Sequence, residues 1–408
     1  METPAVASSR QRIALFGLFG CGNLGNDGSL EAMIQFLRKE RPDADIVSIC
    51  DNPEHVAASQ NVAVLPLSWS RHLRGGARKI NRLFLKLPGS LIDLMITIRH
   101  LRDVDSMIIP GTGILDDFGE RPYGMPLDIF RWLVVARLMG VRTALVSIGA
   151  GPIRHPVSRW LMSRAAGFAD FRSYRDALSK NYMTGIGFDT SSDAIYPDIA
   201  FKLETPDIAQ DTFTRNGRPV IGVGVMSYYG WYGFAEGAQA IYDAYAAKLS
   251  QFVIHLLDNG HDVRLLTGEI GDMTAVRDIL EKVKRSRPDY LQSRIVAEPS
   301  HSLTELMQQM AETEIVVTTR FHNIVCALKM GKPTISLGYS RKNDVLMDEM
   351  GLGEFCQPIE QFDLNTLIGH FDTLSSHRRE HELKIRRQVE VFRERLEEQD
   401  EILLANFI

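Results

Sequence analysis

The sequence predicts an α/β protein built as two Rossmann-like parallel-sheet domains facing a cleft. Three observations carry that expectation. Short Val/Ile-rich runs alternate with amphipathic helical patterns along the whole chain, a polar segment interrupts the rhythm near the middle, and 408 residues exceed what one core ordinarily serves. Continuous apolar runs are what strands buried on both faces look like, and covering helices do the burying.

In the first half, "RIALFGL", "ADIVSIC", "SMIIPGTG", "RTALVSIGA" and "DFRSYR" read as buried strands, each closed by glycine or a polar turn. Between them, "SLEAMIQFLRK" sets Leu30, Met33, Ile34 and Leu37 on one helical face, and "PLDIFRWLVVARLMG" is a second helix stopped by Gly140. The segment Glu204 to Pro219, "ETPDIAQDTFTRNGRP", is the expected linker. After it, "VIGVGVM", "DVRLLTG", "SRIVAEP", "EIVVTT" and "TISLGY" repeat the strand pattern, with helices such as "SLTELMQQMAE" between them. The expected boundaries are 1–205 and 218–370 for the two domains, and 371–408 for a charged helical tail that packs back across the N-terminal one.

Composition narrows the function classes. A content of 45% hydrophobic and 24% charged residues is that of a soluble globular protein, and a formal net charge of -5 argues against nucleic-acid binding. Cys21, Cys50, Cys326 and Cys356 are scattered without metal-ligand or disulfide spacing, so no metal site is expected and a cytoplasmic location fits. The N-terminal stretch lacks a charged start followed by an apolar run, and no apolar run reaches the roughly 20 residues a spanning helix needs.

The stretch "VVTTRFHNIVCALKMGKPTISLGYS" places Arg320 and His322 two residues apart where a buried strand hands over to a helix. Residues so spaced share a side only in extended or turn backbone. The C-terminal end of a strand in an open α/β sheet is where ligands bind, and the free N–H groups of the following helix favour anions. A guanidinium fork suits phosphate or carboxylate, and an imidazole exchanges a proton near neutral pH. The competing reading is a surface arginine beside a structural histidine.

The run "TTRFHNIVCALKMGKPTISLGYSRKN" resembles the C-terminal signature of the polysaccharide pyruvyltransferase family. "GLFGCGNLGNDGSLEAM", "PGTGILDD", "SIGAGPI", "SYRDALS" and "YPDIAF" are similar to its earlier blocks and follow in the family's order, from about Ile13 to Leu352. The resemblance implies a GT-B-like architecture with the acceptor on the N-terminal domain and the donor on the C-terminal one. It implies transfer of pyruvate from phosphoenolpyruvate to a sugar of a surface polysaccharide or glycolipid as a ketal, with release of phosphate and no cofactor. Arg320 and Thr319 would hold the donor, His322 would be the acid/base, and Arg341 or Lys342 would add positive charge. Partners implied are phosphoenolpyruvate and a glycan or lipid-linked sugar. Rival readings are a glycosyltransferase using a nucleotide sugar on the same scaffold and a noncatalytic carbohydrate- or nucleotide-binding relative.

Gly20, Gly22 and Gly25 spell GxGxxG between strand and helix, and Asp51 stands where a ribose-binding acid would, so the pattern alone fits a dinucleotide site. Asn23, Asn26 and Asp27 speak against it, Asp27 by placing negative charge where pyrophosphate would lie. The family loop reads Gly-Asn-x-Gly-Asp-Glu, whereas this chain has Asn26 in place of the first acid. Gly22, Asn23 and Asn26 are then acceptor-binding candidates and Asp27 a candidate base, with a helix N-cap as the structural alternative for Asn26 or Asp27.

Other candidates follow strand ends. In "PGTGILDD", Asp116 is a candidate base and Asp117 an acceptor contact, against capping as the competing role. In "MSYYGWYGF", Tyr229 and Trp231 suit a sugar platform. Glu269 and Asp272 are weaker candidates on the next strand. Finally, Arg71 to Arg102 holds eight basic residues against Asp93 and suits an anionic membrane surface, or simply a solvated helical insertion.

Overall fold

The computed structural model describes residues 10–83, 87–206, 214–215, 217–230, 237–290 and 294–408. They form two compact units. The first holds the described residues of Met1–Cys21, with Ser29–Ile199 and Arg395–Ile408; the second holds Gly22–Gly28 and the described residues of Ala200–Glu394.

The sheet of the first unit is wholly parallel. Its strands are β1 Arg12–Phe16, β2 Asp45–Cys50, β3 Ala63–Pro66, β4 Ser106–Pro110, β5 Arg142–Ile148, β6 Phe171–Tyr174 and β7 Ala194–Ile195, in the spatial order β3-β2-β1-β4-β5-β6-β7. Every residue of β4 is buried, which is why "SMIIP" carries no polar alternation. Trp132, fully buried, packs its ring against Phe16 and gives its indole N–H to the carbonyl of Leu67 at 2.9 Å. The helix Met125–Met139 ends where Gly140 adopts φ 75°, the left-handed cap that the glycine predicts.

The second unit repeats the plan. Strands β9 Arg218–Gly224, β10 Asp262–Leu266, β11 Ile295–Ala297, β12 Ile315–Thr318, β13 Thr334–Gly338 and β14 Cys356–Pro358 run parallel in the order β11-β10-β9-β12-β13-β14, and the short β8 Thr214–Arg215 pairs antiparallel with β9. In both sheets the first strand lies at the centre and the chain then builds outward on each side. That reversal creates a switch point at β1/β4 and at β9/β12, where loops at strand C-termini diverge and leave room for a ligand.

Local chemistry starts the helices. Asp176, Ser302 and Asp363 accept from the backbone N–H three residues on, at 2.6, 3.0 and 2.8 Å. The tail is one helix, Arg378–Asn406, that follows a separate helix Leu364–Ser376. Its early part belongs to the second unit, where Phe392 meets Phe201 edge-on at 5.1 Å. Its last part belongs to the first, where the Gln399 amide donates to Ser147 and Ser173 hydroxyls at 3.1 and 2.8 Å. Ser147 sits at φ 48° where β5 and β6 lose register, so this amide steadies an irregular strand.

Lys332, 3% exposed, is the most informative buried charge in the second unit. Its ammonium donates to the carbonyls of Thr313 and Ala311 at 2.6 and 3.2 Å, and burial pulls its pKa down from 10.5 to about 7. Between those values the unfolded chain binds a proton that the folded one does not, so stability rises with pH across that window. Urea unfolding from pH 7 to 10 is expected to show this rise in the wild type and to lose it in Lys332→Met.

Candidate active site

Arg320 caps the helix Phe321–Lys329 with extended backbone, φ -78° and ψ 137°, and His322 is the second helical residue. The two side chains reach different partners. Arg320 makes a fork with Asp272, Nε to one carboxylate oxygen at 2.6 Å and Nη2 to the other at 2.7 Å, and it also binds Glu269 at 2.8 and 2.9 Å. Burial alone would pull the arginine pKa down. The hydrogen bonds and charge of Asp272, with Glu269 behind them, outweigh burial and raise it. Glu269 is raised by burial against the pull of Arg320.

Asp272 is fully buried and is the hub of three loops. Besides Arg320 it accepts from the backbone N–H of Ser227 after β9 at 3.0 Å, and from those of Gly268 and Glu269 after β10 at 3.3 and 3.1 Å. Glu269 and Asp272 together form a reciprocal capping box at the turn Ile270–Asp272. That Glu-x-x-Asp spacing was the available signal for Asp272. Its role is that of an anchor for these loops.

His322 rests on the glycine loop. A Cβ built on Gly25 would lie 1.8 Å from His322 Nδ1, so only glycine leaves the imidazole its place. Gly28 is likewise filled by Leu303, with 2.3 Å between its would-be Cβ and a leucine methyl. Asn23 pairs with Glu269 as an antiparallel bridge, and its amide donates to the Glu269 carboxylate at 3.4 Å. The second unit therefore gathers Asn23, Gly25, Glu269, Arg320 and His322 around one turn. The helix cap is Asn23, whose side-chain oxygen Oδ1 accepts from the N–H of Gly25 and Asn26 at 3.0 and 3.2 Å. The capping role that the sequence leaves open as the alternative for Asn26 or Asp27 falls to Asn23, which already meets the first free donors. Asp27 is half-buried two residues past Gly25 on the same first turn.

The remaining candidates divide by environment. The Thr319 carbonyl accepts from the buried Asn343 amide at 2.8 Å. Asn323, 1% exposed, keeps both amide atoms without a hydrogen-bond partner beside Gly268. Such burial ordinarily costs about 1–3 kcal/mol, which is tolerable at a site a ligand completes. Arg341 and Lys342 open the helix Arg341–Glu349 after Ser340. Arg341 is exposed, and the Lys342 ammonium lies 5.4 and 5.3 Å from the rings of Phe321 and Tyr339. Tyr229 stacks on Tyr242 with ring centroids 4.7 Å apart; Trp231 lies outside the described residues.

In the first unit, Asp117 is 1% exposed and its oxygens accept from the N–H of Gly119, Arg154 and His155. These bonds give Asp117 the capping role that stood against an acceptor contact. Asp116 is half-buried, accepts from the Phe118 N–H at 2.8 Å, and lies where Gly151 leaves room. Gly20 and Gly22 turn with φ of 79° and 85°. Asp51, the ribose-type acid of the dinucleotide pattern, faces Arg71 at 3.4 Å.

Two parallel α/β units with polar groups gathered at strand C-termini define a GT-B-like scaffold. The chain is similar over 95% of its length to the UDP-GlcNAc 2-epimerase of Neisseria meningitidis bound to UDP-GlcNAc, with TM-score 0.57, 10% identity and 100% of that chain covered. It is similar to MurG of Acinetobacter baumannii with TM-score 0.52 and 11% identity, over 95% of this chain and 99% of that one. At these identities the likeness shows the fold. The family is shown by the sequence: residues 23–341 match the model for polysaccharide pyruvyl transferase, and the chain belongs to that family. It is also 22% identical to the amylovoran biosynthesis protein AmsJ of Erwinia amylovora, over 93% of this chain and 95% of that protein. It is accordingly a transferase of polysaccharide modification.

Removing one partner from a buried ion pair leaves the other charge stranded, at a cost of about 3–5 kcal/mol. Asp272→Ala is therefore expected to lower urea-unfolding stability by about 3 kcal/mol, because Glu269 retains part of the arginine. Glu269→Ala, at a more exposed carboxylate, should cost less than about 1 kcal/mol.

Proposed function

We propose that this transferase moves the pyruvyl group of phosphoenolpyruvate onto two hydroxyls of one sugar, forming a ketal and releasing phosphate. The observation that carries the reading is the His322 imidazole seated on Gly25, next to an arginine held at a helix start by Asp272. Family membership supplies the reaction class. The helices beginning at Phe321 and Arg341 add outward N–H groups and positive dipole ends suited to a phosphorylated acid.

In this reading the donor sits among Thr319, Arg320, Arg341 and Lys342. Arg320 already carries two carboxylates, so a bound anion competes with Glu269, whose raised pKa favours taking up a proton as that anion arrives. His322 delivers a proton to carbon 3 of the enol. Carbon 2 becomes cation-like, the first sugar hydroxyl adds there, and its proton passes to a base. Asp27, in the same unit as His322, is the acid assigned to that role. The second hydroxyl then displaces phosphate, which leaves with that hydroxyl's proton, and the ring closes. Oriented cations and N–H dipoles stabilise the departing group. Gly22, Asn23, Asn26 and Tyr229 are the acceptor contacts of this scheme, and the setting is the cytoplasm or the membrane surface, with 71–102 as the contact region.

A ligand that binds only the folded state raises its melting temperature. Phosphoenolpyruvate is expected to stabilise the protein and UDP-sugars are not; the reverse result would favour a nucleotide-sugar enzyme. His322→Ala, folded as judged by circular dichroism, should release phosphate from phosphoenolpyruvate plus acceptor at least about 100-fold more slowly. Turnover at the wild-type rate would remove the imidazole from the mechanism.

A further inference from the structure

The helix Leu87–Leu101 is amphipathic the wrong way round. Its inward face carries Gly89, Asp93, Thr97 and Leu101, all buried. Asp93 accepts from the Ser68 hydroxyl and the Ser70 N–H, each at 3.0 Å, and Thr97 accepts from buried Arg131 at 3.1 Å. The outward face carries Leu87, Leu91, Leu94, Met95 and Ile98, spaced as one helical stripe. Leu87, Leu91 and Met95 are 63, 61 and 62% exposed. Leu83, at the end of the preceding helix Gly75–Leu83, is 77% exposed.

Along the chain from Arg74 to Arg102 the exposed charges among the described residues are all of one sign. Arg74, Lys79 and Arg99 are exposed and make no ion pair among the described residues. Asp93, the only acid between Arg71 and Arg102, is turned inward. Arg71 drops out of the basic set, because it is bound by Asp128 at 2.6 Å and Asp51 at 3.4 Å. Lys86 lies outside the described residues, as do the side chains of Arg78 and Arg82.

We infer that the outward face of Leu87–Leu101 is a docking surface for an anionic lipid bilayer. Leucine, methionine and isoleucine enter the boundary between headgroups and acyl chains, while the arginines and lysine pair with lipid phosphates. A second copy of the chain is the poorer occupant, since a symmetric contact would bring like-charged rims together. The inference extends the proposed reaction to an acceptor presented at a membrane, yet it stands on this surface alone.

The test is co-sedimentation of the full chain with vesicles of equal parts phosphatidylcholine and phosphatidylglycerol, and with pure phosphatidylcholine vesicles. Binding is expected to the mixed vesicles, to weaken with added salt, and to fall at least about tenfold in Leu91→Gln/Met95→Gln. The melting temperature of that variant should be unchanged. Three results would overturn the inference: no binding to mixed vesicles, equal binding to both vesicle types, or a variant that binds like the wild type. A wild type that elutes as a dimer while the variant elutes as a monomer would assign the face to a second copy instead. Phosphate release with a soluble acceptor reads the proposed reaction separately, and the variant should retain it.

Discussion

The second unit's site depends on one buried ion pair, Asp272 with Arg320. Alone, a carboxylate with no exposure would be strongly destabilising. Here it meets two guanidinium nitrogens and three backbone N–H groups, so the desolvation of one charge is offset by five hydrogen bonds drawn from three different loops. The consequence is positional. The loops after β9, β10 and β12 cannot move independently without opening that cluster. The helix that presents His322 therefore starts at a fixed place and angle.

The same pair alters what Arg320 can do. The sequence presents it as a cation awaiting an anion, and the structure presents it as already neutralised by Asp272, with Glu269 as a second and more exposed partner. Glu269 is bound to the Asn23 amide as well. Arg320 is thus coupled through Glu269 to the glycine loop, by two contacts that no linear spacing reveals.

Much of the architecture was legible because parallel sheets write themselves as apolar runs. β1, β2, β4, β5, β6, β10, β11, β12 and β13 all fall within the strand-like segments, β9 starts two residues ahead of its own, inside the expected linker, and the family order of motifs survives in the matched residues 23–341. What escaped was short or edge-placed. β3 is half-exposed, β7 has two residues, and β14 follows a glycine-rich turn, so none carries enough apolar contrast. The helix Arg341–Glu349 was missed because its start is strongly basic and its buried set, Asn343, Leu346 and Met347, is partly polar. At the site, Arg320 and His322 were readable as residue types at a strand end. The notch at Gly25 was not, since the glycine's role is defined by a residue almost 300 positions away. GxGxxG describes a backbone shape, and here a histidine ring occupies the space where helix packing would be the ordinary use.

The helix Leu87–Leu101 shows why hydrophobic patterning alone could not orient it. By periodicity its leucines belong inside, yet Arg131 decides otherwise. That guanidinium is 9% exposed and is bound to Asp128, Thr97 and the carbonyl of Leu67. Turning the helix to bury the leucines would remove Thr97 and Asp93 from beneath it and leave a cation and two serines short of partners. Each buried polar group deprived of its partner costs free energy that burial of the leucines would have to offset. The polar network therefore fixes the rotation of the helix, and the apolar stripe on its outer face is a result of that constraint. An apolar stripe held outward in this way is available to a lipid surface without any rearrangement of the fold.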